Sequence, residues 1–187
     1  MKTLIIVDMQ NDFITGSLGS LECQCIVPAV VERLKEALAN DERIIFTRDT
    51  HTEDYLNTPE GIKLPVKHCI KGTFGWDIIP ELRLPIVEDQ NRNILFIDKP
   101  IFGSTELLKK LDNDDEIEFC GVCTDICVVS NALMAKSHYP NAKISVNPKL
   151  CAGTSINNHL SAIDVMRSCQ IDIIESEEPI LEKELVR

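Results

Sequence analysis

The sequence predicts a three-layer α/β/α fold, in which helices cover both faces of a doubly wound, six-stranded and mainly parallel sheet. Two patterns indicate this fold. Short and almost continuous apolar runs are typical of strands buried on both faces. These runs alternate with helical patterns, which favours parallel pairing through right-handed crossovers. The length of 187 residues indicates a single domain over residues 1–187, since domains average about 150 residues.

Six apolar runs are predicted as strands. The first three each end at a charged residue, and the fourth ends at a glycine. The predicted strands are residues 3–7, 43–48, 94–98, 116–120, 143–146 and 171–174.

Four helices are predicted between these strands. In the first, apolar side chains recur every four residues from Ile26 to Leu38, which gives one buried stripe. Ser104 is a suitable N-cap for the second helix, and Thr124 for the third, which Pro140 ends. The predicted helices are residues 26–39, 104–111, 125–137 and 156–169.

Two segments depart from this alternation. Residues 49–90 are predicted to be mostly irregular, with prolines at positions 59, 65, 80 and 85. A long loop within a compact domain is usually functional. The acidic stretch at residues 175–187 is predicted to be a solvated tail or an edge helix.

Composition excludes several classes of protein. Apolar residues make up 44% and charged residues 26%, which excludes a disordered or fibrous chain. No apolar run approaches the ~18 residues that span a membrane, and no export signal opens the chain, so a cytoplasmic protein without a membrane partner is expected. The net charge of −11 opposes binding to nucleic acid. Eight cysteines are too few for a disulfide scaffold, which predicts reduced thiols.

Candidate catalytic residues follow the predicted strands, at the sheet edge where α/β proteins bind ligands. Asp8, Lys99 and Cys127 bring a carboxylate, an ammonium group and a thiol to this edge. The helix start should lower the pKa of Cys127, and Lys99 should lower it further. Asp8 could then accept the thiol proton, while backbone amides after Gly121 bind an oxyanion. The alternative is that Cys127 is a small core residue.

A metal site is the second candidate. Asp49 and His51 follow the second strand, and His68 lies in the same irregular loop. One carboxylate and two imidazoles suit Zn²⁺, Fe²⁺ or Mn²⁺, with water in the remaining positions. The alternative is that Asp49 caps the loop and both histidines are ordinary surface residues. Among the other thiols, Cys169 is expected in the core, and four are expected in loops without a partner: Cys23, Cys25, Cys69 and Cys151.

Five segments resemble the isochorismatase-like cysteine hydrolases, most closely the nicotinamidase/pyrazinamidase branch. They match that family in order, each at a predicted strand end or in the long loop. The segments are VDMQNDFITGSL (7–18), RDTH (48–51), KHCIKGT (67–73), DKP (98–100) and GVCTDICV (121–128).

The resemblance implies a hydrolase of linear amides. The Cys127 thiolate attacks the carboxamide carbon, Asp8 protonates the departing ammonia, Lys99 holds the charges of this pair, and water hydrolyses the thioester. The backbone amides of Cys123 and Cys127 bind the oxyanion, next to an expected cis peptide bond at Val122–Cys123. Relatives commonly assemble, so a homo-oligomer is expected.

The resemblance also implies a divalent metal ion on Asp49, His51 and His68. Many relatives have a third histidine after the second ligand, whereas this chain has none in that region. Some relatives use a glutamate there, and Glu60 is the best positional match, followed by Glu53 and Asp54.

Substrate contacts are expected from Phe13, which matches a pocket residue of the family. Nicotinamidases usually place an aromatic residue three positions before the last metal histidine, where this chain has Pro65. Trp76 or Phe102 is therefore expected to form the other wall. Hydrolysis of nicotinamide to nicotinate is the leading reaction.

Three alternatives to this function are retained. The first is a related hydrolase that acts on another small amide, ureido or carbamoyl compound. The second is a non-catalytic interaction module, because fold does not fix function. The third is a redox-active thiol protein, which the absence of a C-x-x-C motif disfavours.

Overall fold

Parallel strands form the centre of the molecule in a computed structural model, which describes residues 1–88 and 94–174. Over these residues the sheet has six strands in the order β3-β2-β1-β4-β5-β6, and every pairing is parallel. The strands are β1 (Lys2–Val7), β2 (Arg43–Asp49), β3 (Ile94–Lys99), β4 (Glu116–Val122), β5 (Lys143–Ala152) and β6 (Asp172–Ile173). The chain winds outward from β1 to one edge and from β4 to the other. The winding direction therefore reverses between β1 and β4, the point where doubly wound sheets bind ligands.

Strand β5 is longer than predicted. The prediction ended at residue 146 because Asn147 and Pro148 interrupt the apolar run. The pairing of β5 with β4 shifts register between Phe119 and Gly121, and it resumes opposite Cys151 and Ala152. This irregularity accommodates a proline, which cannot donate a ladder hydrogen bond.

Four of the helices match the predicted ones in position. They are α2 (Leu21–Ala39), α5 (Thr105–Leu108), α6 (Val129–His138) and α7 (Ile156–Ser168). Helix α2 begins five residues earlier than predicted because Ser20 caps it, accepting a hydrogen bond from the Cys23 amide at 3.1 Å. Ser104 caps α5 as predicted, accepting from the Leu107 amide at 3.2 Å.

The turn that precedes α6 is π-helical and spans Thr124–Val128. The prediction of Thr124 as the N-cap is wrong. Its hydroxyl is instead hydrogen-bonded at 2.8 Å to Nδ1 of His159 on α7. This contact ties the turn that carries Cys127 to the neighbouring helix.

The segment after β2 contains more structure than predicted. A 3₁₀ turn (Tyr55–Asn57) is followed by α3 (Pro59–Lys63) and α4 (Pro80–Glu88). Pro59 and Pro80 hid these helices from the prediction, but each occupies the first helical position, where the missing amide costs nothing.

The short helix α1 (Asn11–Ile14) anchors this segment. Asn11 donates hydrogen bonds to the carbonyls of Phe74 and Asp77, at 2.7 and 3.2 Å. Asp12 Oδ2 accepts from the Cys69 amide at 2.7 Å. The residues after β1 therefore hold the long loop against the carboxyl edge of the sheet.

The core occupies both sides of the sheet. Four consecutive β1 residues, Leu4 to Val7, are fully buried, which requires cover on both faces. Each such side chain contributes about 1.5–3 kcal/mol relative to an exposed one. Within the described chain no helix is long and apolar enough to cross a membrane. The acidic stretch at residues 175–187 lies outside the described residues.

The expectations for the remaining thiols are largely wrong. Cys169 is exposed rather than in the core. Cys23 and Cys25 lie on α2, and Cys151 lies on β5. All eight cysteines are unpaired.

Candidate active site

Three predicted catalytic residues meet where β1, β3 and β4 end. Lys99 Nζ lies 2.6 Å from Oδ2 of Asp8 and 3.5 Å from Sγ of Cys127. Asp8 and Lys99 are fully buried, and Cys127 is 5% exposed. A buried ion pair therefore lies directly beside a buried thiol.

The backbone around Asp8 is closely fitted. Asp8 has a φ of 50°, a left-handed conformation that aspartate tolerates better than most residues. Its Oδ1 accepts a hydrogen bond of 2.7 Å from Thr47 Oγ1 on β2. Gly121 on β4 pairs with Val7 and has a φ of 111°, and any Cβ there would collide with the Val7 backbone. Glycine at this position lets the nucleophile strand approach Asp8 closely.

The charges of this cluster favour a protonated resting thiol. Burial raises the pKa of Cys127 well above its usual value, and the Asp8 carboxylate raises it further. Burial also raises the pKa of Asp8, although Lys99 acts in the opposite direction. Burial would lower the pKa of Lys99, but Asp8 and Cys127 together raise it above its ordinary range. The predicted low pKa of Cys127 is therefore wrong, because the thiol is buried against a carboxylate. The site therefore consists of the protonated Cys127 thiol with the Asp8 carboxylate beside it as a base.

The nucleophile turn contains the expected cis peptide bond at Val122–Cys123. The Cys123 carbonyl accepts hydrogen bonds from the Ile126 and Val128 amides, both at 3.1 Å. Cys123 and Cys127 both line the cavity described below.

Asn131 is a residue that the sequence analysis missed. Its fully buried side chain accepts a hydrogen bond from the Ser104 amide at 2.9 Å. It donates to the carbonyls of Phe102 and Cys127, at 3.0 and 2.7 Å. One side chain thus joins the segment after β3 to the nucleophile turn. The available signal was an asparagine on the otherwise apolar buried face of α6, four residues after Cys127.

Four side chains form a cluster that could hold a metal ion: Asp49, His51, Glu60 and His68. Asp49 Oδ2 lies 2.9 Å from Nε2 of His51 and 3.3 Å from Nε2 of His68. Glu60 Oε1 lies 3.7 and 3.9 Å from the same two nitrogens. Tetrahedral zinc with bonds of about 2.0–2.1 Å places its ligands about 3.3 Å apart. The two imidazoles and two carboxylates therefore fit a divalent ion.

The charges of the cluster are coupled. Burial would raise the pKa of Asp49, but hydrogen bonds from His51 and His68 hold it well below its usual range. Burial would lower the pKa of His68, but the hydrogen bond to Asp49 raises it. Burial and the Asp49 charge raise the pKa of Glu60. Binding of a cation would stabilise both carboxylates in their charged form.

Glu60 lies with the two histidines, whereas Glu53 and Asp54 lie outside the cluster. Glu53 is exposed and pairs with Lys67 at 2.9 Å. The short helix α3 explains this choice, because it brings Glu60 back over the end of β2.

Supporting hydrogen bonds fix the metal-binding side chains. Nδ1 of His68 is bonded to the Val66 carbonyl at 2.8 Å, which leaves Nε2 for the cluster. Gln10, which is fully buried, accepts from the Asp49 amide at 2.7 Å and donates to the Asp49 carbonyl at 2.9 Å. Gln10 was also missed by the sequence analysis, although it is a polar residue two positions after the predicted catalytic Asp8.

An apolar cavity of about 450 Å³ connects the two clusters. Phe13 and Phe102 line it as predicted, together with Leu18, Leu64 and Ile126. Cys127, Asp49, Glu60 and His68 line it as well. The cavity therefore offers apolar walls beside both the nucleophile and the metal-binding cluster.

Trp76 does not line this cavity, so the prediction that it could replace the missing aromatic wall is wrong. The Arg48 guanidinium lies 4.0 Å from its ring centroid. Its indole N–H donates to Thr50 Oγ1 at 2.8 Å. Leu64, next to Pro65, contributes an aliphatic wall instead.

Comparisons with known proteins find a matching family model and several relatives. The isochorismatase domain profile matches residues 2–178. An uncharacterized isochorismatase family protein of Bacillus subtilis is 32% identical over 173 residues, which covers 87% of this chain and 92% of that protein. The nicotinamidase/pyrazinamidase of Mycobacterium tuberculosis is 27% identical over 191 residues, covering 93% of this chain and 98% of that protein.

Solved structures show the same fold. The pyrazinamidase/nicotinamidase of Streptococcus mutans aligns with a TM-score of 0.80 and 28% identity, covering 93% of this chain and 100% of that chain. The pyrazinamidase of Pyrococcus horikoshii, solved in complex with zinc, aligns with a TM-score of 0.76 and 25% identity. This alignment covers 94% of this chain and 99% of that chain.

Proposed function

The chain belongs to the isochorismatase family, and we propose that it is a metal-containing cysteine amidohydrolase that converts nicotinamide to nicotinate and ammonia. The observation that carries this proposal is the contact of Lys99 with both Asp8 and Cys127, on a cavity that also borders the metal-binding cluster. Relatives named as nicotinamidases across bacteria and yeasts support the substrate.

The substrate binds in the apolar cavity. Its carboxamide carbon lies against Sγ of Cys127, and its ring packs against Phe13 and Phe102. A neutral, largely apolar ring suits these walls, because its burial releases water and leaves no charge buried without a partner.

Asp8 acts first as the general base. Because burial raises the pKa of both Asp8 and Cys127, the thiol keeps its proton until the substrate is bound. Transfer of that proton to Asp8 forms the thiolate, and its sulfur attacks the carboxamide carbon. Lys99 stays cationic and offsets the negative charge that moves between carboxylate and sulfur.

The tetrahedral oxyanion is bound by the backbone amides of Cys123 and Cys127. One such donor contributes about 2.7–4 kcal/mol in other acyl-transfer enzymes. As the intermediate collapses, Asp8 gives its proton to the leaving nitrogen, so ammonia departs and a thioester remains on Cys127. Asp8 then takes a proton from water, whose oxygen attacks the thioester carbon. The product leaves as the carboxylic acid and loses its proton to solvent to give nicotinate. The proton on Asp8 returns to the sulfur.

The metal-binding residues are Asp49, His51, Glu60 and His68, and they fit zinc, iron or manganese. When bound, the ion supplies a Lewis-acidic position for the ring nitrogen. Asp49, His51, Glu60 and His68 would hold the ion, and Asp49, Glu60 and His68 would place it beside the cavity.

Substrates that carry a carboxylate fit this cavity less well. Among the described residues that line it, none is a lysine or an arginine. An N-carbamoyl amino acid would therefore find no lysine or arginine for its carboxylate on this wall and would have to use the metal-binding cluster in place of the ring nitrogen. This leaves another small neutral amide as the second candidate. The contact of Lys99 with Asp8 and Cys127 disfavours a non-catalytic interaction module.

We further propose that the enzyme works in the cytoplasm as a homo-oligomer. Eight unpaired thiols suit a reducing compartment. On the edge strand β3, Leu95 and Phe96 lie on opposite faces of the sheet and are 37% and 46% exposed, and a second copy packed along this edge could cover both. Light scattering on the protein as it elutes from a size-exclusion column measures the number of chains in the assembly.

The decisive test is ammonia release from nicotinamide by the native protein and by Cys127→Ala. Cys25→Ala is the matched control, because Cys25 is exposed on α2 and does not line the cavity. We expect rapid release with the native protein and the control, and none with Cys127→Ala. Residual turnover above a few per cent in a folded Cys127→Ala would remove Cys127 as the nucleophile. Turnover of other amides or ureido compounds, but not of nicotinamide, would overturn only the substrate.

A further inference from the structure

Tyr55 is a fully buried side chain that the proposed mechanism does not use. It lies in the 3₁₀ turn after β2, between His51 and Glu60 of the metal-binding cluster in the chain. Tyr55 itself neither lines the substrate cavity nor belongs to the cluster. Its ring and its hydroxyl nevertheless contact residues of both.

The ring of Tyr55 packs against both imidazoles of the metal-binding cluster. Its centroid lies 4.6 Å from that of His51, with 52° between the ring planes. It lies 4.9 Å from that of His68, with 77° between the planes. The two imidazole centroids are 4.8 Å apart, so the three rings contact one another in one buried group. Tilted and edge-to-face contacts favour particular ring orientations, so Tyr55 limits how the two histidines can turn.

His51 depends on this contact more than His68 does. Nδ1 of His68 is bonded to the Val66 carbonyl at 2.8 Å. In the described part of the chain no hydrogen bond holds Nδ1 of His51, whose Nε2 lies 2.9 Å from Oδ2 of Asp49. Metal-binding histidines are usually oriented by a hydrogen bond from their second nitrogen. At His51, packing against Tyr55 takes that orienting role.

The hydroxyl of Tyr55 reaches the wall of the substrate cavity. It donates a hydrogen bond of 3.0 Å to the carbonyl of Leu64, the residue that ends α3. The side chain of Leu64 lines the cavity. The same carbonyl accepts from the Val66 amide at 2.8 Å, and the Val66 carbonyl in turn holds His68. The hydroxyl therefore fixes the short segment that carries both the aliphatic wall and a histidine of the cluster.

We propose that Tyr55 is a positioning residue for amide hydrolysis, whose ring orients the two metal-binding histidines and whose hydroxyl fixes the cavity wall at Leu64. The expected effect on turnover rests on the proposed function. The expected effect on metal affinity requires only that the cluster binds a divalent ion.

Two substitutions separate the hydroxyl from the ring. Tyr55→Phe removes the hydrogen bond to Leu64 and keeps the aromatic contacts. Tyr55→Met removes the ring and keeps an adaptable apolar side chain in its place.

Tyr139→Phe is the matched control. The Tyr139 hydroxyl also donates to a leucine carbonyl, that of Leu108 at 2.6 Å, and its ring centroid lies 4.6 Å from that of His138. None of these three residues lines the cavity or belongs to the metal-binding cluster. The control therefore loses a comparable hydrogen bond away from the proposed site.

Three measurements are made on each protein. Zn²⁺ is added to metal-free protein in competition with a chelating dye, which gives the metal affinity without any enzymatic assay. Steady-state kinetics on nicotinamide give KM and kcat separately. Thermal unfolding gives the stability and shows whether each variant is folded.

Tyr55→Phe should bind Zn²⁺ like the native protein, because the ring contacts remain. It should raise KM about twofold to tenfold, the effect that the net contribution of one hydrogen bond can have. The change in kcat should be smaller, because a loosened wall weakens binding of substrate and transition state alike. Tyr139→Phe should lose stability without a change in KM. Tyr55→Met should bind Zn²⁺ at least about tenfold more weakly, as expected when a residue that orients a metal ligand is lost.

Two results would overturn this inference. One is a KM for Tyr55→Phe equal to that of Tyr139→Phe, and the other is native Zn²⁺ affinity in a folded Tyr55→Met. If Tyr55→Met does not fold, the comparison of the two phenylalanine variants decides. A native protein that binds Zn²⁺ but does not hydrolyse nicotinamide would contradict the proposed substrate alone, because the Zn²⁺ titrations still test the ring contacts.

Discussion

Lys99 Nζ lies 3.5 Å from Oδ1 of Asp49, so one ammonium group contacts both the catalytic cluster and the metal-binding cluster. The two oxygens of Asp49 face different partners, since Oδ2 lies 2.9 Å from His51. This follows from the sheet, because Asp49 and Lys99 are paired at the ends of β2 and β3. Changes at either cluster should therefore affect the other.

Lys99→Ala should raise the pH at which Cys127 becomes reactive, because the cation that stabilises the thiolate is lost. Removing one partner of a buried ion pair should also cost about 3–5 kcal/mol of folding free energy. The pH profile of iodoacetamide labelling at Cys127 measures the first effect, and denaturant unfolding measures the second. Lys71→Ala is the control, since Lys71 is exposed and pairs with Asp98. An unchanged labelling profile would contradict the placement of Lys99.

Glu60→Ala should weaken metal binding at least about tenfold, since loss of even an indirect metal partner has an effect of that size. Elemental analysis of protein purified without chelator, followed by competition with a chelating dye, measures the affinity. Glu53→Ala should bind metal like the native protein, because Glu53 is exposed and lies outside the cluster. Equal affinities for both variants would exclude Glu60 as a ligand.

Metal affinity should rise with pH through the raised pKa of His68, because an imidazole must be neutral to bind a metal. The metal-free protein should show the opposite trend. A raised folded-state pKa contributes stability that is complete below the unfolded value of about 6.5 and is lost as the pH rises through the folded value. Between about pH 5.5 and 8, dye competition measures whether metal affinity rises with pH. Thermal unfolding of the metal-free protein over the same range measures whether its stability falls. Parallel slopes for native protein and His68→Asn would refute this prediction.

Phe102→Ala should raise KM for nicotinamide about threefold to tenfold, with a smaller effect on kcat, because one aromatic contact contributes about 0.5–1.5 kcal/mol. Phe102 lines the cavity, whereas Trp76 packs under Arg48 outside it. Trp76→Phe is the matched control and should leave KM unchanged. Steady-state kinetics measure KM and kcat for both variants. A larger increase in KM for Trp76→Phe than for Phe102→Ala would contradict the placement of the nicotinamide ring against Phe102.

Asn131→Leu should lower both stability and kcat/KM. The substitution leaves the Phe102 and Cys127 carbonyls and the Ser104 amide without their partner, at about 1–3 kcal/mol for each buried group. Asn131→Asp retains the acceptor for Ser104 and should be less damaging to the segment after β3. Thermal unfolding measures the contribution of Asn131 to stability, and steady-state kinetics measure its contribution to kcat/KM. A loss of stability with unchanged kcat/KM would make Asn131 structural only.

The sequence by itself determined the sheet and which residues gather at its edge. Alternating strands and helices require parallel pairing, and the carboxyl ends of parallel strands meet at one edge. Asp8, Asp49 and Lys99 each end a strand, and Cys127 lies in the turn after β4, so their convergence followed from their positions in the chain. The family resemblance carried by the same segments is confirmed by the isochorismatase profile.

Only the tertiary structure decided how side chains outside the strands meet. The resemblance implied Glu60 ahead of Glu53, but the position of Glu60 beside the two histidines depends on helix α3, which begins at a proline and was not predicted. The position of Trp76 outside the cavity and its contact with Arg48 depend on packing between segments far apart in the chain. The physical reason is that the repeat of a helix or strand fixes the directions of its side chains, so a sequence pattern can predict them. Loop dihedrals and burial, which also raised the pKa of Cys127, are set by the folded whole.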